Sequence, residues 1–261
     1  MGIIINSADA IARMRVAGRL AAEVLEMIAP YVVPGVTTEA LDQRCHQYII
    51  QQHARPACLG YRGFPKSVCI SVNEVVCHGI PGERLLKVGD IVNIDVTVIK
   101  EGFHGDTSKM FFVGSPSVLA QRLCRVTQQS LYQALAMVRP FVRLKEIGRT
   151  IQRIVEAEGF SVVRDYCGHG IGQAFHQAPQ VLHFLADDKG ITLQEGMTFT
   201  IEPMINAGKA ATKTMKDGWT AKTKDHSLSA QYEHTVLVTA TGCEVLTWRA
   251  EESIPQIFSH P

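Results

Sequence analysis

Four acids able to ligate a hard or borderline metal ion recur in a repeated frame. The segment Leu86-x-x-Gly89-x-x-x-x-Ile94-Asp95 returns 107 residues later as Leu193-x-x-Gly196-x-x-x-x-Ile201-Glu202. Each copy is followed by a second strand-like segment carrying an acid, Asp106 after the first and Glu233 after the second. Such a repeat can face its acids across a pseudo-two-fold axis. Four carboxylates so placed repel one another, and a divalent cation, or a pair, is the simplest way to hold them. His169 is the fifth candidate, in Cys167-Gly168-His169-Gly170-Ile171-Gly172, where glycines permit close backbone approach and unusual dihedral angles. Four acids with one imidazole suit manganese, iron, cobalt or zinc rather than a soft thiolate site.

Taken singly these residues say less. Asp95 interrupts an apolar strand (Ile91, Val92, Ile94, Val96, Val98), a costly place for an unpaired carboxylate. A strand face open to water would account for it equally well. The glycines around His169 also read as a turn with an incidental histidine. The repeat lifts the acids together, because chance does not readily put them at matching points of both halves. Two more histidines sit beside turn signals, His78 in Cys77-His78-Gly79-Ile80-Pro81 and His176 in Phe175-His176-Gln177-Ala178-Pro179. Either could donate a hydrogen bond to a substrate or shuttle a proton. Apart from the acid cluster both would read as structural. His46, His53, His226, His234 and His260 read as structural or exposed.

The elements that must position these groups also recur. A helix is expected from Ser7 to about Ala29, stopped by Pro30, and a second from Thr37-Thr38 until before Pro56. Strand patterns follow at Val68–Val72, Ile91–Ile99 and Phe103–Val113, the last two joined by Lys100-Glu101-Gly102, a hairpin signal. The cycle restarts with a helix from Ser115-Pro116 to about Val138, with Pro140 beyond it, and another from Leu144 to Glu158, stopped by Gly159. Strands return at Ser161–Arg164, Met197–Asn206 and Gln231–Thr239. The polar, lysine-rich stretch from Asn206 to Asp225 reads as a long loop carrying Trp219. The whole is an α+β chain, one catalytic domain over 1–261. Its two similar halves span about 7–114 and 115–250, with antiparallel sheet packed inside helices.

Composition narrows the function. A formal net charge of +1 gives no electrostatic case for bulk binding of nucleic acid or an anionic membrane. No apolar run approaches the roughly 20 residues needed to span a bilayer. The start lacks a secretory pattern. Seven scattered cysteines, with no two-residue spacing, argue against a disulfide framework or zinc knuckle, so a reducing cytoplasm is expected.

From about Ser7 to Trp248 the chain resembles the bacterial type I methionine aminopeptidases of peptidase family M24. The resemblance rests on Asn73–His78, Asn93-Ile94-Asp95, His104-Gly105-Asp106-Thr107, Gly168–Gly172, Thr200-Ile201-Glu202-Pro203 and Gln231-Tyr232-Glu233-His234-Thr235. It implies the pita-bread fold and excision of an N-terminal methionine that precedes a small residue. It also implies two divalent ions held by Asp95, Asp106, His169, Glu202 and Glu233. Asp106 and Glu233 would bridge the ions, and Glu202 would also take a proton from water. His78 and His176 would steady the scissile amide and the tetrahedral intermediate. A methionine pocket would be lined by Cys58, Tyr61, Phe64, Cys69, Phe175 and Trp219, whose rings and sulfurs suit a thioether. Asn73, Val75 and Ser229 match positions that hold a monovalent cation in relatives. Phe64 departs from an expected tyrosine, and Phe141 from an expected glycine turn.

The partners so implied are nascent peptides, met by a monomer with no membrane or specific nucleic acid. Lys209, Lys213, Lys216, Lys222 and Lys224 add a weak ribosome contact or are simply a solvated loop. Met1-Gly2 would make the chain a substrate for its own activity. One rival is a proline dipeptidase or proline aminopeptidase of the same fold, for whose usual extra N-terminal domain the chain lacks room. Another is a non-catalytic partner-binding relative, which should have lost ligands.

Overall fold

The computed structural model describes residues 2–186 and 190–259; Met1 and His260 lie outside them. The first half opens with two helices, α1 (Ala8–Ile28) and α2 (Thr38–Gln51). Ser7 and Thr37 cap them, each hydroxyl accepting from a backbone N–H three residues on. The helix expected to reach Ala29 ends at Ile28, where Pro30 sits in a single 3-10 turn. Short strands β1 (Arg55–Pro56), β2 (Cys69–Val72) and β3 (Val75–Cys77) precede the long hairpin of β4 (Ile91–Lys100) and β5 (Phe103–Phe112). The Lys100-Glu101-Gly102 turn forms as expected, with Glu101 and Gly102 both left-handed. α1 lies directly on this hairpin: a Cβ at Gly105 would come within 2.3 Å of the Ala17 carbonyl oxygen.

The second half repeats the order with α3 (Val118–Leu135), capped by Ser117 rather than Ser115, and α4 (Lys145–Ala157). Its strands are β6 (Ser161–Val162), β7 (Gly168–Gly170), β8 (Gln177–Val181), β9 (Thr198–Ile201), β10 (Met204–Asn206), β11 (Thr212–Thr214), β12 (Ala221–Thr223), β13 (Ser229–Gln231), β14 (His234–Val238), β15 (Gly242–Val245) and β16 (Ile257–Ser259). The repeated frame shows in the backbone itself. Gly89 and Gly196 both take left-handed conformations, with φ of 97° and 86°. One apolar core runs from Leu20 to Val113 under α1 and α2. The other spans chiefly Ala120 to Val245 under α3 and α4, with Ile91 and Met110 reaching into it.

Four expected segments take a different form. The strand read over Met197–Asn206 is two strands, β9 and β10, interrupted at Glu202-Pro203 because proline cannot donate to a ladder. The strand read from Gln231 to Thr239 is interrupted opposite, at Tyr232-Glu233. The stretch Asn206–Asp225 is not a long irregular loop: β11 and β12 form a hairpin that adds to β3. Finally, His169 lies in strand β7 and not in a turn. Its flanking glycines serve close packing, since a Cβ at Gly168 or Gly170 would lie 2.4 Å from Thr200 O or 2.1 Å from Ala178 O. None of the three glycines there has a positive φ.

Candidate active site

Strand register places the acids. β10 pairs with β13 through Met204 and Gln231, and β9 with β14 through Ile201 and His234. The register is the same on both sides of the interruption, so Glu202 and Glu233 fall opposite each other where the ladder opens. Like charges directly opposite destabilise a strand pair. In the first half Asp106 stands opposite Thr97, whose hydroxyl donates to it at 2.7 Å. The halves are stitched together at this level. Glu233 N–H donates to Ser108 O, and Thr235 exchanges hydrogen bonds with the backbone of Asp106.

The result is a cavity of about 350 Å³ lined by all five acid and histidine candidates. His169 Nε2 lies 3.5 Å from Asp106 and 3.6 Å from Glu202. Its Nδ1 is 3.1 Å from Gly170 O, which fixes the proton there and leaves Nε2 facing the acids. Donor atoms of Asp106, His169 and Glu233 all lie within 4.8 Å of one another. Asp95 is half-buried and lines the cavity, and among the described residues no hydrogen bond holds its carboxylate. Glu202 accepts from the Thr200 hydroxyl at 2.8 Å and from the Gln231 amide at 3.2 Å.

Burial and like charge dominate the electrostatics of the cluster. Burial, then the charge of Asp106, pushes Asp95 well above the carboxylate range. Burial, with Asp106, Glu202 and Asp95 around it, does the same to Glu233. Burial lifts Glu202 to about 7, although His169 opposes the rise. His169 moves the other way: burial disfavours its cation, yet Asp106 and Glu202 outweigh burial and raise it. Among the described residues the only Arg or Lys lining the cavity is Arg62, which lies over the Tyr61 ring. A cluster of oxygen donors, one imidazole and an excess of buried negative charge fits a divalent cation.

Beside the acids lies an apolar compartment. Cys58, Phe64 and Cys69 form a buried cluster against Ile80, Phe175 and Trp219. Trp219 is held at the tip of the β11–β12 hairpin by Asp217, which accepts from the N–H groups of Trp219 and Thr220. Its ring meets Phe64 edge-on at 5.2 Å. Phe64 is fully enclosed there, so the hydroxyl of a tyrosine would need a partner that this phenylalanine does not. Tyr61 covers Phe175 at 4.8 Å and stacks on His176 at 5.2 Å. His176 lies 4.1 Å from His169 between ring centroids. His78 takes a left-handed backbone, φ 55°, and faces Tyr166 and Trp219 edge-on. Burial lowers the pKa of both histidines; His176, also repelled by His169, drops to about 4.

Residues 12–240 match Metallopeptidase family M24. The chain belongs to that family. Among its M24 relatives is the methionine aminopeptidase of Escherichia coli (strain K12), 67% identical, with the alignment covering 100% of this chain and 99% of that protein. The crystal structure of methionine aminopeptidase from Rickettsia prowazekii superposes with a TM-score of 0.93 at 51% identity, covering 95% of this chain and 100% of that one. A prolidase from Pyrococcus furiosus shares the pita-bread fold, with a TM-score of 0.75 at 20% identity, covering 95% of this chain and 66% of that one. The M24 chain is thus a metal-dependent aminopeptidase by family.

The remaining expected residues fall as follows. Asn73 and Ser229 meet through a backbone hydrogen bond, and Val75 lies next to them on β3. The Asn73 side chain is already occupied by Asp90 and Ile91. His46 bonds Ser67, His53 and His226 are exposed, and His234 is buried. Several residues around the cluster escaped the sequence reading. Thr97, Thr200 and Gln231 hold the acids; His183 Nε2 accepts the Glu202 N–H at 3.1 Å; His104 stacks on Phe175. Thr97 left a signal through the register of its hairpin, whereas His104, Thr200 and Gln231 stood in the family-like motifs without a role of their own.

Proposed function

We propose that this chain removes the N-terminal methionine from nascent proteins and peptides whose second residue is small, using two divalent ions. One observation carries the reading: a buried acid–histidine cluster and a sulfur- and aromatic-lined compartment share one cavity. Asp95, Asp106, His169, Glu202 and Glu233 would hold the ions. When bound, these supply Lewis-acid polarisation and water activated near neutral pH.

The protein's own groups do the rest. Cys58, Tyr61, Phe64, Cys69, Phe175 and Trp219 receive the methionine side chain, a thioether suited to soft and aromatic surfaces. The acid floor receives the free amino group, which an internal peptide lacks. Glu202, oriented by Thr200 and Gln231, takes the proton of the attacking water. His78 and His176, both neutral, donate to the scissile amide and to the oxygen that gains charge. The crowding of ligands and histidines beyond that bond favours a small second residue.

The same reading makes the chain a monomer with a single catalytic domain, working in the cytoplasm with its cysteines unpaired. It includes a monovalent cation at Asn73, Val75 and Ser229. Any ribosome contact is weak and salt-sensitive, since Lys222 is already tied to Glu74. Unchanged ribosome co-sedimentation after charge reversal at Lys213, Lys216 and Lys224 would remove that contact.

The test is cleavage by metal-stripped protein after add-back of manganese, cobalt, iron or zinc singly. Met-Ala-Ser, Met-Leu-Ser and Ala-Pro-Ser are offered in parallel. Metal-dependent release of methionine from the first alone is expected. Cleavage only before proline would overturn the substrate, and no cleavage by folded protein would overturn the activity.

A further inference from the structure

Asp106 and Glu233 line the cavity, but the residue after each points elsewhere, as strand alternation requires. Thr107 and His234 are fully buried on the far side, and there they meet one polar network from the end of the chain. Arg249, itself 1% exposed, donates through one guanidinium nitrogen to the Thr107 hydroxyl at 2.9 Å. That hydroxyl donates to the Glu233 carbonyl oxygen at 2.7 Å. A second guanidinium nitrogen meets Glu252 at 3.0 Å. The same Glu252 oxygen accepts from His234 Nε2 at 2.9 Å and from the Tyr132 hydroxyl at 3.1 Å. His234 Nδ1 takes its bond from Thr247, whose oxygen accepts the Thr235 N–H at 3.1 Å. Thr235 in turn holds the Asp106 backbone.

A buried ion pair is a poor source of stability, because desolvating both charges cancels most of their attraction. Its value must lie elsewhere, and its position is specific: it ties the backbone behind Asp106 to the backbone behind Glu233, two strands that belong to different halves. The strand run is interrupted at Glu233, and a single bridge, Ser108 with Glu233, is the strand pairing that joins the halves there, so the buried network adds to a sparse connection.

We infer that Arg249 and Glu252, acting through Thr107 and His234, are positioning residues that set the separation of the Asp106 and Glu233 carboxylates for metal binding. The inference rests on the metal-ligand reading above. Two variants test it. Thr107→Val removes the hydroxyl link and leaves the ion pair in place. Arg249→Met combined with Glu252→Gln removes both charges, and Glu251, which also pairs with Arg249 at 3.4 Å, keeps its partner Lys109. Manganese binding to the metal-stripped proteins is measured by calorimetry, well below each unfolding transition. Thermal unfolding of the metal-free proteins is recorded separately.

A positioning role predicts manganese affinity weakened by about tenfold or more in both variants, the usual scale for groups that orient ligands. A merely structural role would lower the unfolding temperature and leave the affinity of the folded protein alone. Affinity within about twofold of the parent in Thr107→Val overturns the inference, whatever the double variant does. Asp106→Asn separates the two readings. If it too binds manganese normally, the ligand assignment has failed; if it loses binding while Thr107→Val does not, only the positioning inference has.

Discussion

Replacing His176 by alanine should damage turnover and little else. His176 sits at the cavity edge, open to solvent as a residue while its ring packs against Phe175 at 4.2 Å and Tyr61 at 5.2 Å, so its removal opens no core void. Stability should therefore stay within about 0.5 kcal/mol, as for surface changes generally. Burial and the neighbouring His169 bring the His176 pKa down to about 4, so the ring is neutral at neutral pH and keeps an N–H to donate. One preorganised donor to a developing oxyanion is worth about 2.7–4 kcal/mol, or roughly a hundredfold to a thousandfold in kcat. Because the bond strengthens only as charge develops, KM for Met-Ala-Ser should move by less than about threefold. The assay is steady-state release of methionine by metal-reconstituted His176→Ala, with metal content and thermal unfolding measured on the same sample. Near-normal kcat would remove His176 from the mechanism. A loss of bound metal would show that it acts by assembling the site, not by stabilising the transition state.

Asp95→Asn should abolish metal-dependent cleavage and yet raise the unfolding temperature of the chelator-treated protein, because it removes a carboxylate that burial and Asp106 disfavour; differential calorimetry with and without chelator reads both, and a lowered temperature would contradict it. Phe141 is 90% exposed at a φ of 69°. Glycine there relieves a left-handed strain of roughly 1–2 kcal/mol against an entropy cost of about 0.5–1 kcal/mol, so Phe141→Gly should stabilise by about 0.5–1 kcal/mol in urea unfolding. Glu252 is held at about 2, burial notwithstanding, by His234 and Arg249. A depressed carboxylate stabilises the fold above its unfolded pKa of about 4.3, and that stabilisation drains away as pH falls toward about 2. The parent should accordingly lose its stability margin over Glu252→Gln as the pH is lowered from 5 to 3; a constant margin would refute the assignment.

How far the site could be read from sequence depends on what fixed each residue's neighbours. The tight turn at Glu101-Gly102 pairs Lys100 with Phe103, and every later pair follows by counting. Thr97 opposite Asp106 was therefore within reach, and with it the 2.7 Å bond that orients one acid. The capped helices and the paired glycines at 89 and 196 were legible for the same reason: each signal is confined to a few consecutive residues. The second hairpin has no such turn. The β11–β12 hairpin lies inside it, between β10 and β13, so no local count could bring Gln231 to Glu202 or put Glu202 opposite Glu233. His183 was hidden further still, an imidazole in the apolar run Val181–Phe184 whose partner, the Glu202 N–H, lost its ladder place beside Pro203. The acids were nevertheless found, because the repeat carries them across that gap. The two copies differ in register, since Asp106 faces Thr97 whereas Glu202 faces Glu233, so the repeat names the acids without saying which of them face each other. The mismatch left over, two carboxylates opposed where a ladder should close, is a like-charge contact that a bound cation would relieve.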